Sequence, residues 1–422
     1  MTLPLLRRIH RWIGLVIALP IAVQGLTGCI LTLADLVPGR HATLAEARPV
    51  GEIVAEARPV GEIVAEARPV GEIVAAAQNR VGDGAHATRY NAPPTTGYAA
   101  TVLVSAATLS PHELLIDPSS LTVLAVDPIF GRALAWVRAL HVQLLAPSYG
   151  GRSVVGWFAI GLLAMLITAI PIWWPRNGRV RQAFSADFRA RGALFHRRVH
   201  GAAGAWIGGI LTVLAISGVV MAFPRSARLA LGLDPLAAPP ARHAGEATAP
   251  TAADIDRAVA RAQQDFPHLV LRSAFLPARR SEPVRLVFTG AGETGAVNSV
   301  QLQVGLADLR MRVLDDPATS GPAGTLYRWM HDLHTGSGMG AGWRLVQATG
   351  GLALPLLALT GSMQWWRKRS ARRSRVVPDA IEADFQRVVA GRAGTRARVG
   401  PATHVLEGLA RESRGWPGQA RP

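Results

Sequence analysis

The chain has 422 residues, a formal net charge of +17 and a single cysteine, Cys29. Its mean hydropathy is positive, which sets it apart from soluble globular proteins of two or three domains. One cysteine excludes an intrachain disulfide and a cysteine metal cluster. The basic excess sits beside apolar stretches, where lipid anchoring accounts for it, and so it does not indicate nucleic-acid binding.

In chain order, Arg7, Arg8 and Arg11 precede the first apolar stretch, Trp12 to Ala34, so residues 1–34 read as an N-terminus and a first transmembrane helix. A spanning helix needs roughly 20 apolar residues. The stretch is too long for a cleavable leader, and no convincing cleavage site follows it. Residues 35–135 read as an outer lobe. It begins with the decapeptide AEARPVGEIV three times in tandem over 45–74. Identity this complete, with Pro49, Pro59 and Pro69 breaking any continuous helix, marks a recent expansion rather than a solenoid. The last copy runs into helical spacing of Ile73, Val74, Ala77 and Val81, which predicts a helix over 70–80. TGYAATVLVSA reads as a strand, and HELLIDPSSLTVLAVDP as a hairpin turning at Asp117-Pro118.

Residues 136–175 carry a Trp-x4-His segment, Trp136 to His141, and a second span from Ser153 to Pro175 that closes on Trp173-Trp174. The loop 176–198 holds seven arginines against one acid, Asp187. A third span follows at 199–224. Residues 225–325 read as a second lobe, with a Pro- and Ala-rich linker from Leu233, a helix over Ala252 to Asp265, and strands in RLVFTG and NSVQLQVGLADLRMRVL. Residues 326–366 repeat the Trp-x4-His segment, Trp329 to His334, and the fourth span, closing on Trp365-Trp366. A basic tail occupies 367–422. Arginines flank the short connections and the two long segments are near balance, which predicts an inner-membrane protein with both termini cytoplasmic and both lobes periplasmic.

The two halves match in order. Arg7-Arg8-Ile9-His10 answers Arg197-Arg198-Val199-His200, and eighteen residues after each His stand Gly28 and Gly218. The Trp-x4-His segments correspond, and Thr168 and Thr360 each stand five residues before their Trp-Trp pair. The expected fold is a membrane all-α four-helix bundle of two tandem two-span repeats, with two small α+β periplasmic lobes. The halves share one orientation, as parallel repeats do.

The His-Arg-Trp-x-Gly motif at His10, the LTG end of the first span, the Asp117-Pro118 turn, the Trp-Trp-Pro-Arg exit at Trp173 and the Trp-x4-His segments together resemble the PepSY-associated transmembrane proteins. These are often described as iron-regulated membrane proteins and include siderophore reductases. The likeness covers about residues 1–370, and it implies PepSY-type lobes and b-type haem held by histidines of the spans and their flanks. The chain departs from the pattern in the apolar RALHVQLLAPSYGG after the first segment and in lacking an Asp-Pro turn in the second lobe.

Four histidines suit that role. His10 with His200, and His141 with His334, are equivalent pairs at two depths, as bis-imidazole ligation of two haems requires. His196 and His331 lack counterparts and stand as alternative ligands or supporting donors. The remaining histidines, His41, His86, His112, His243, His268 and His404, read as surface residues. A continuous helix from His141 to Trp173 would be ~48 Å against a core of ~30 Å, so the Trp-x4-His segments must tilt back into the bundle mouth.

The function expected from this is transmembrane electron transfer through haem b, feeding ferric siderophore reduction in iron uptake. The lipid bilayer is the surroundings, a cytoplasmic reductase or quinol the donor, and a periplasmic ferric siderophore the acceptor. No GxGxxG fingerprint occurs, so no flavin or NAD site is expected in this chain. Two other classes remain open. One is a lobe-based binding or regulatory protein, which would carry no haem. The other is a siderophore or solute transporter, for which Gln24, Thr27, Thr168, Ser217, Gln347 and Thr360 offer few mid-membrane polar groups.

Overall fold

A computed structural model describes residues 2–36, 67–94, 97–106, 112–127, 129–175, 180–186, 189–234 and 248–395. The first two decapeptide copies, most of the Pro- and Ala-rich linker, the end of the tail, and His41, His243 and His404 lie outside them. The chain divides into two compact units, Met1–Ser362 and Met363–Pro422. In the second, the described residues are helical through Thr395, and the Arg369 guanidinium lies 5.3 Å from the Trp365 ring centre.

Among the described residues, four helices are long and apolar enough to span a membrane: α1 (Leu3–Ala34), α4 (Gly151–Trp173), α5 (Gly192–Ala222) and the first part of α9 (Gly340–Thr395), up to Ser370. Large apolar side chains such as Val16, Leu19, Ile167 and Trp206 stand exposed along them. A soluble fold would bury such side chains, whereas lipid solvates them. The chain is a multi-pass membrane protein. Its helices approach closely at glycines: a Cβ on Gly25 would collide with the Gly351 carbonyl, and one on Gly156 with the Phe223 ring. Small residues at such crossings let backbones meet where no hydrophobic force drives them together.

Outside the spans, the same order of elements occurs twice. Helix α2 (Val70–Val81) leads into β1 (His86–Asn91), β2 (Ala100–Ser105), β3 (His112–Ile116) and β4 (Val123–Val126). After α3 (Ile129–Gln143), the two spans α4 and α5, and α6 (Pro224–Ala230), helix α7 (Ala252–Asp265) leads into β5 (Leu269–Phe275), β6 (Pro283–Gly290), β7 (Ser299–Gly305) and β8 (Met311–Asp315). Helix α8 (Gly321–Thr335) then leads to α9. Helix α7 starts on a capping box between Thr251 and Asp254, which satisfies two otherwise orphaned backbone donors.

The two expected lobes are not separate. The strands of the described residues lie in one antiparallel sheet of order β4-β3-β2-β1-β5-β6-β7-β8, joined where β1 pairs with β5 through Arg89↔Phe275, Tyr90↔Ala274 and Asn91↔Ser273. Helices α2 and α7 cover one face, and a single apolar core takes in Ile73, Val102, Ile116, Leu286, Phe288 and Leu302 from both halves. The physical reason is edge satisfaction. Strands β1 and β5 would each expose an unpaired row of amides in a lone four-stranded lobe, and each serves as the other's partner.

The hairpin at Asp117 is present: Asp117 Oδ1 accepts the Ser119 amide at 2.9 Å, and Leu121 turns through φ 60°. Without a proline, β7 and β8 turn by related means, with Asp308 Oδ1 accepting the Arg310 amide at 3.1 Å and Leu309 at φ 53°. His112, expected as an unpaired surface residue, instead bonds through Nδ1 to Asp127 Oδ2 at 2.6 Å across the β3–β4 hairpin.

Because one core serves both halves, Leu302→Ala in β7, at a cost of about 2–5 kcal/mol, is expected to lower amide-exchange protection in β1–β3 as well as β5–β8. Loss of protection confined to β5–β8 would contradict the shared core.

Candidate functional site

Helices α3 and α8 carry the Trp-x4-His segments, and both pack against spans, α3 on α1 and α8 on α5. Each leaves room for the chain to reverse into the next span. The first reversal uses Leu144 and Leu145 at φ 53° and 57° and Gly150 at 73°, while the second uses Gly336, Gly338 and Gly340 at 73–74°. Two leucines in left-handed geometry cost roughly 1–2 kcal/mol each, which the glycines avoid. The reversals tuck both segments into the bundle mouth.

This brings the histidines together in twos. The rings of His10 and His200 stand 6.4 Å apart, centroid to centroid, at 89°, and those of His141 and His334 stand 6.2 Å apart at 43°.

Each imidazole is held by the same device. His10 Nδ1 bonds Thr168 Oγ1 at 3.0 Å, and His200 Nδ1 bonds Thr360 Oγ1 at 3.2 Å and the Leu357 carbonyl at 3.0 Å. His141 Nδ1 bonds Thr27 Oγ1 at 2.9 Å, and His334 Nδ1 bonds Ser217 Oγ at 3.0 Å and the Leu214 carbonyl at 3.1 Å. The four hydroxyls spend their own protons on the carbonyls of Ala164, Leu356, Val23 and Val213, one turn back along their helices. They therefore face the imidazoles as acceptors, and a carbonyl can only accept. Each Nδ1 is thus the N–H nitrogen, and each Nε2 keeps its lone pair for a ligand.

Glycine completes the device. In three of the four positions the hydroxyl residue is followed by Gly28, Gly218 or Gly361, where an added Cβ would come within 3.1–3.3 Å of the imidazole Cε1 of His141, His334 or His200. Ala169 holds the corresponding place beside His10. In the sequence Gly28, Gly218, Thr168 and Thr360 stand out by their offsets and Thr27 by the LTG motif, but Ser217 reads only as a sparse mid-membrane polar group, and nothing there links the hydroxyl of Thr27 or Ser217 to a histidine. The signal that finds all four is a Ser/Thr followed by Gly or Ala on the helix facing each histidine.

The two alternatives sit differently. His196, one turn before His200, has a buried Nδ1 without a hydrogen-bond partner and lies against the Phe195 ring at 5.3 Å. His331 is half exposed and bonds Asp332 Oδ1 at 3.0 Å. Neither ring packs on another histidine among the described residues.

Two imidazoles are too few to hold a bare metal ion, and among the described residues no group of three His, Cys, Asp or Glu could do so. They suit a metal that brings equatorial ligands of its own. An iron between two Nε2 atoms, with bonds of about 2.0 Å, places the ring centroids roughly 6.3 Å apart, close to both separations found here. The surroundings agree. Both side-chain atoms of Gln24, three residues from Thr27, are buried with no partner, as is Gln347 Oε1, whose Nε2 bonds the His334 carbonyl at 2.9 Å. Buried amide groups are otherwise almost always paired, so these atoms are available to a polar group of a bound molecule. The residues fit haem.

Helix α8 is also tied to the sheet. Buried Asp332 accepts the amides of Ala296 and Val297 at 2.7 and 2.9 Å, and buried Arg328 pairs with Asp315 at 2.8 Å. The corresponding places in α3 hold Ala139 and Ala135, so the first segment has no such tether.

The family described as PepSY-associated TM region matches residues 7–368. No curated protein matches the chain.

Gly28→Leu and Gly218→Leu should each drive the adjacent histidine out of place and sharply reduce the haem content of purified protein. Gly208→Ala, whose added Cβ meets nothing within 4 Å, should leave it unchanged. Full haem content in both leucine variants would show that the glycine cradle is not needed.

Proposed function

The chain belongs to the PepSY-associated TM family, and on that footing we propose that it is a haem-b electron-transfer protein of the inner membrane. What carries this reading is the pair of facing imidazoles at each of two depths, with every Nδ1 committed to a helix and every Nε2 left free. The repeated device supports descent of the two halves from a duplicated two-span unit.

His10 with His200 would hold one haem, and His141 with His334 the other. When bound, haem supplies a one-electron couple at each level, which makes a stack of two a conduit across the bilayer. The chain's own part is to fix ligands and keep them dry. Thr168, Thr360, Thr27 and Ser217 set the tautomer and the ring orientation, as groups behind a ligating imidazole do. Seventeen residues separate His10 from Thr27, and likewise His200 from Ser217, about 25 Å along a helix. That spacing suits two levels near opposite sides of a hydrocarbon core of about 30 Å.

Positive-inside charge placement supports both termini in the cytoplasm, with the His10 level toward that side of the bilayer and the sheet in the periplasm. A separate cytoplasmic reductase or quinol would donate, and a ferric siderophore on the sheet side would accept. The arginines between α4 and α5 give an acidic flavoprotein a surface to dock on.

The ligand assignment predicts paired behaviour. His10→Ala and His200→Ala should remove the same low-spin haem signal in electron paramagnetic resonance, and His141→Ala and His334→Ala the other. His196→Ala and His331→Ala should leave both signals in place. Retention of both signals in any of the four ligand variants would refute the pairing.

Orientation is tested separately. A reporter fused after Arg375 should be active only as a cytoplasmic reporter, and one inserted near Gly245 only as a periplasmic one. The reverse at either point would overturn the direction of transfer.

A further inference from the structure

The sheet has two faces, and only one is covered by α2 and α7. On the other, the seam between the halves carries a cross-strand row. Arg89 of β1 stands opposite Phe275 of β5, which stands opposite Arg285 of β6. Directly opposed residues share a face, and the neighbours Val284 and Leu286 point into the core on the other side. Both guanidiniums lie on the phenyl ring, with Cζ 4.6 Å from its centroid for Arg89 and 4.0 Å for Arg285. Arg89 Nε donates to Asn91 Oδ1 at 2.8 Å, and among the described residues neither arginine is paired with a carboxylate.

Arg138 of α3 adds a third charge. It stands three residues before His141, near enough for its charge to act on Arg89. Burial, and then the charges of Arg138 and Arg285, push the Arg89 guanidinium below its ordinary value, and burial does the same at Arg285. Clustered cations that have lost part of their hydration carry a cost that an anion would remove. A phenyl ring lends them cation–π attraction but no hydrogen-bond acceptor. The donor forks remain open, in the geometry that carboxylates fill two bonds at a time.

We infer that the Arg89–Phe275–Arg285 row, with Arg138 beside it, is a binding site for a small polycarboxylate anion. More than one carboxylate is needed to meet guanidiniums spaced on either side of a ring. Its place beside the helix that carries His141 suits a ligand that brings ferric iron to the sheet side. That role rests on the proposed function, but the binding does not.

The test uses the full chain in uncharged detergent, titrated calorimetrically with citrate as probe. Citrate should bind, and binding should weaken with rising salt. Arg89→Gln and Arg285→Gln should each weaken it at least about tenfold, the order expected for losing a charge-assisted pair. Arg285→Lys should retain more affinity than Arg285→Gln, and Arg310→Gln, on an exposed turn, should change nothing. Absence of citrate binding, or wild-type affinity in both glutamine variants, overturns the site. So does finding that these arginines bind phosphatidylglycerol nanodiscs while citrate does not compete, because the anion would then be a lipid headgroup. The haem spectrum of the same samples separates the two proposals: citrate binding without haem would refute the electron-transfer reading and leave this site standing.

Discussion

An imidazole inside an apolar bundle must have its polar atoms met by the protein, because hydrocarbon offers no substitute. That constraint governs the arrangement here. Thr168, Thr360, Thr27 and Ser217 each accept from an Nδ1 while their own protons are taken by a carbonyl one turn back. One nitrogen of each ring is thereby settled, while the rings themselves stand in pairs 6.4 and 6.2 Å apart. The adjoining glycines follow from the same need, since the ring must come within contact of the helix that holds it. So do the tight reversals after α3 and α8, which allow His141 and His334 to reach seven and five residues inside the ends of α1 and α5.

The sheet is the second consequence. Each half offers a helix and four strands, too little to close its own edge, and β1 pairing with β5 makes one body of the two. Asp332 and Arg328 tie α8 to that body, so one of the two upper histidines is fixed to the sheet while its partner, on α3, is held by packing on α1. The sheet is thus joined directly to the helix that carries His334.

Much of this was legible in the sequence because it is local or periodic. Charge-free stretches gave the four spans, the helix over Ala252 to Asp265 was read with its observed ends, and Val70–Val81 was read to within one residue. The equal offsets of His, Gly and Thr in the two halves brought out the pairs before any geometry was known. What escaped was non-local. β1, HATRYN, is polar and does not alternate, and β5, LVLRSAF, is interrupted by a bulge between Leu271 and Ser273. Their union across nearly two hundred residues leaves no mark in either segment. The His112–Asp127 bond, too, depends on hairpin register that fixes which side chains meet. Thr27 and Ser217 were seen but not understood, since a hydroxyl's partner on another helix cannot be read from its own.

The central claim is that facing imidazoles at two levels hold two haems. Its most direct test is the haem-to-protein ratio of the detergent-purified wild-type chain, taken with absorption spectra before and after dithionite. The account predicts two b-type haems per chain, both low-spin, with a sharp reduced α-band. Fully folded protein with no reducible Soret absorption, expressed with haem in supply, would contradict it.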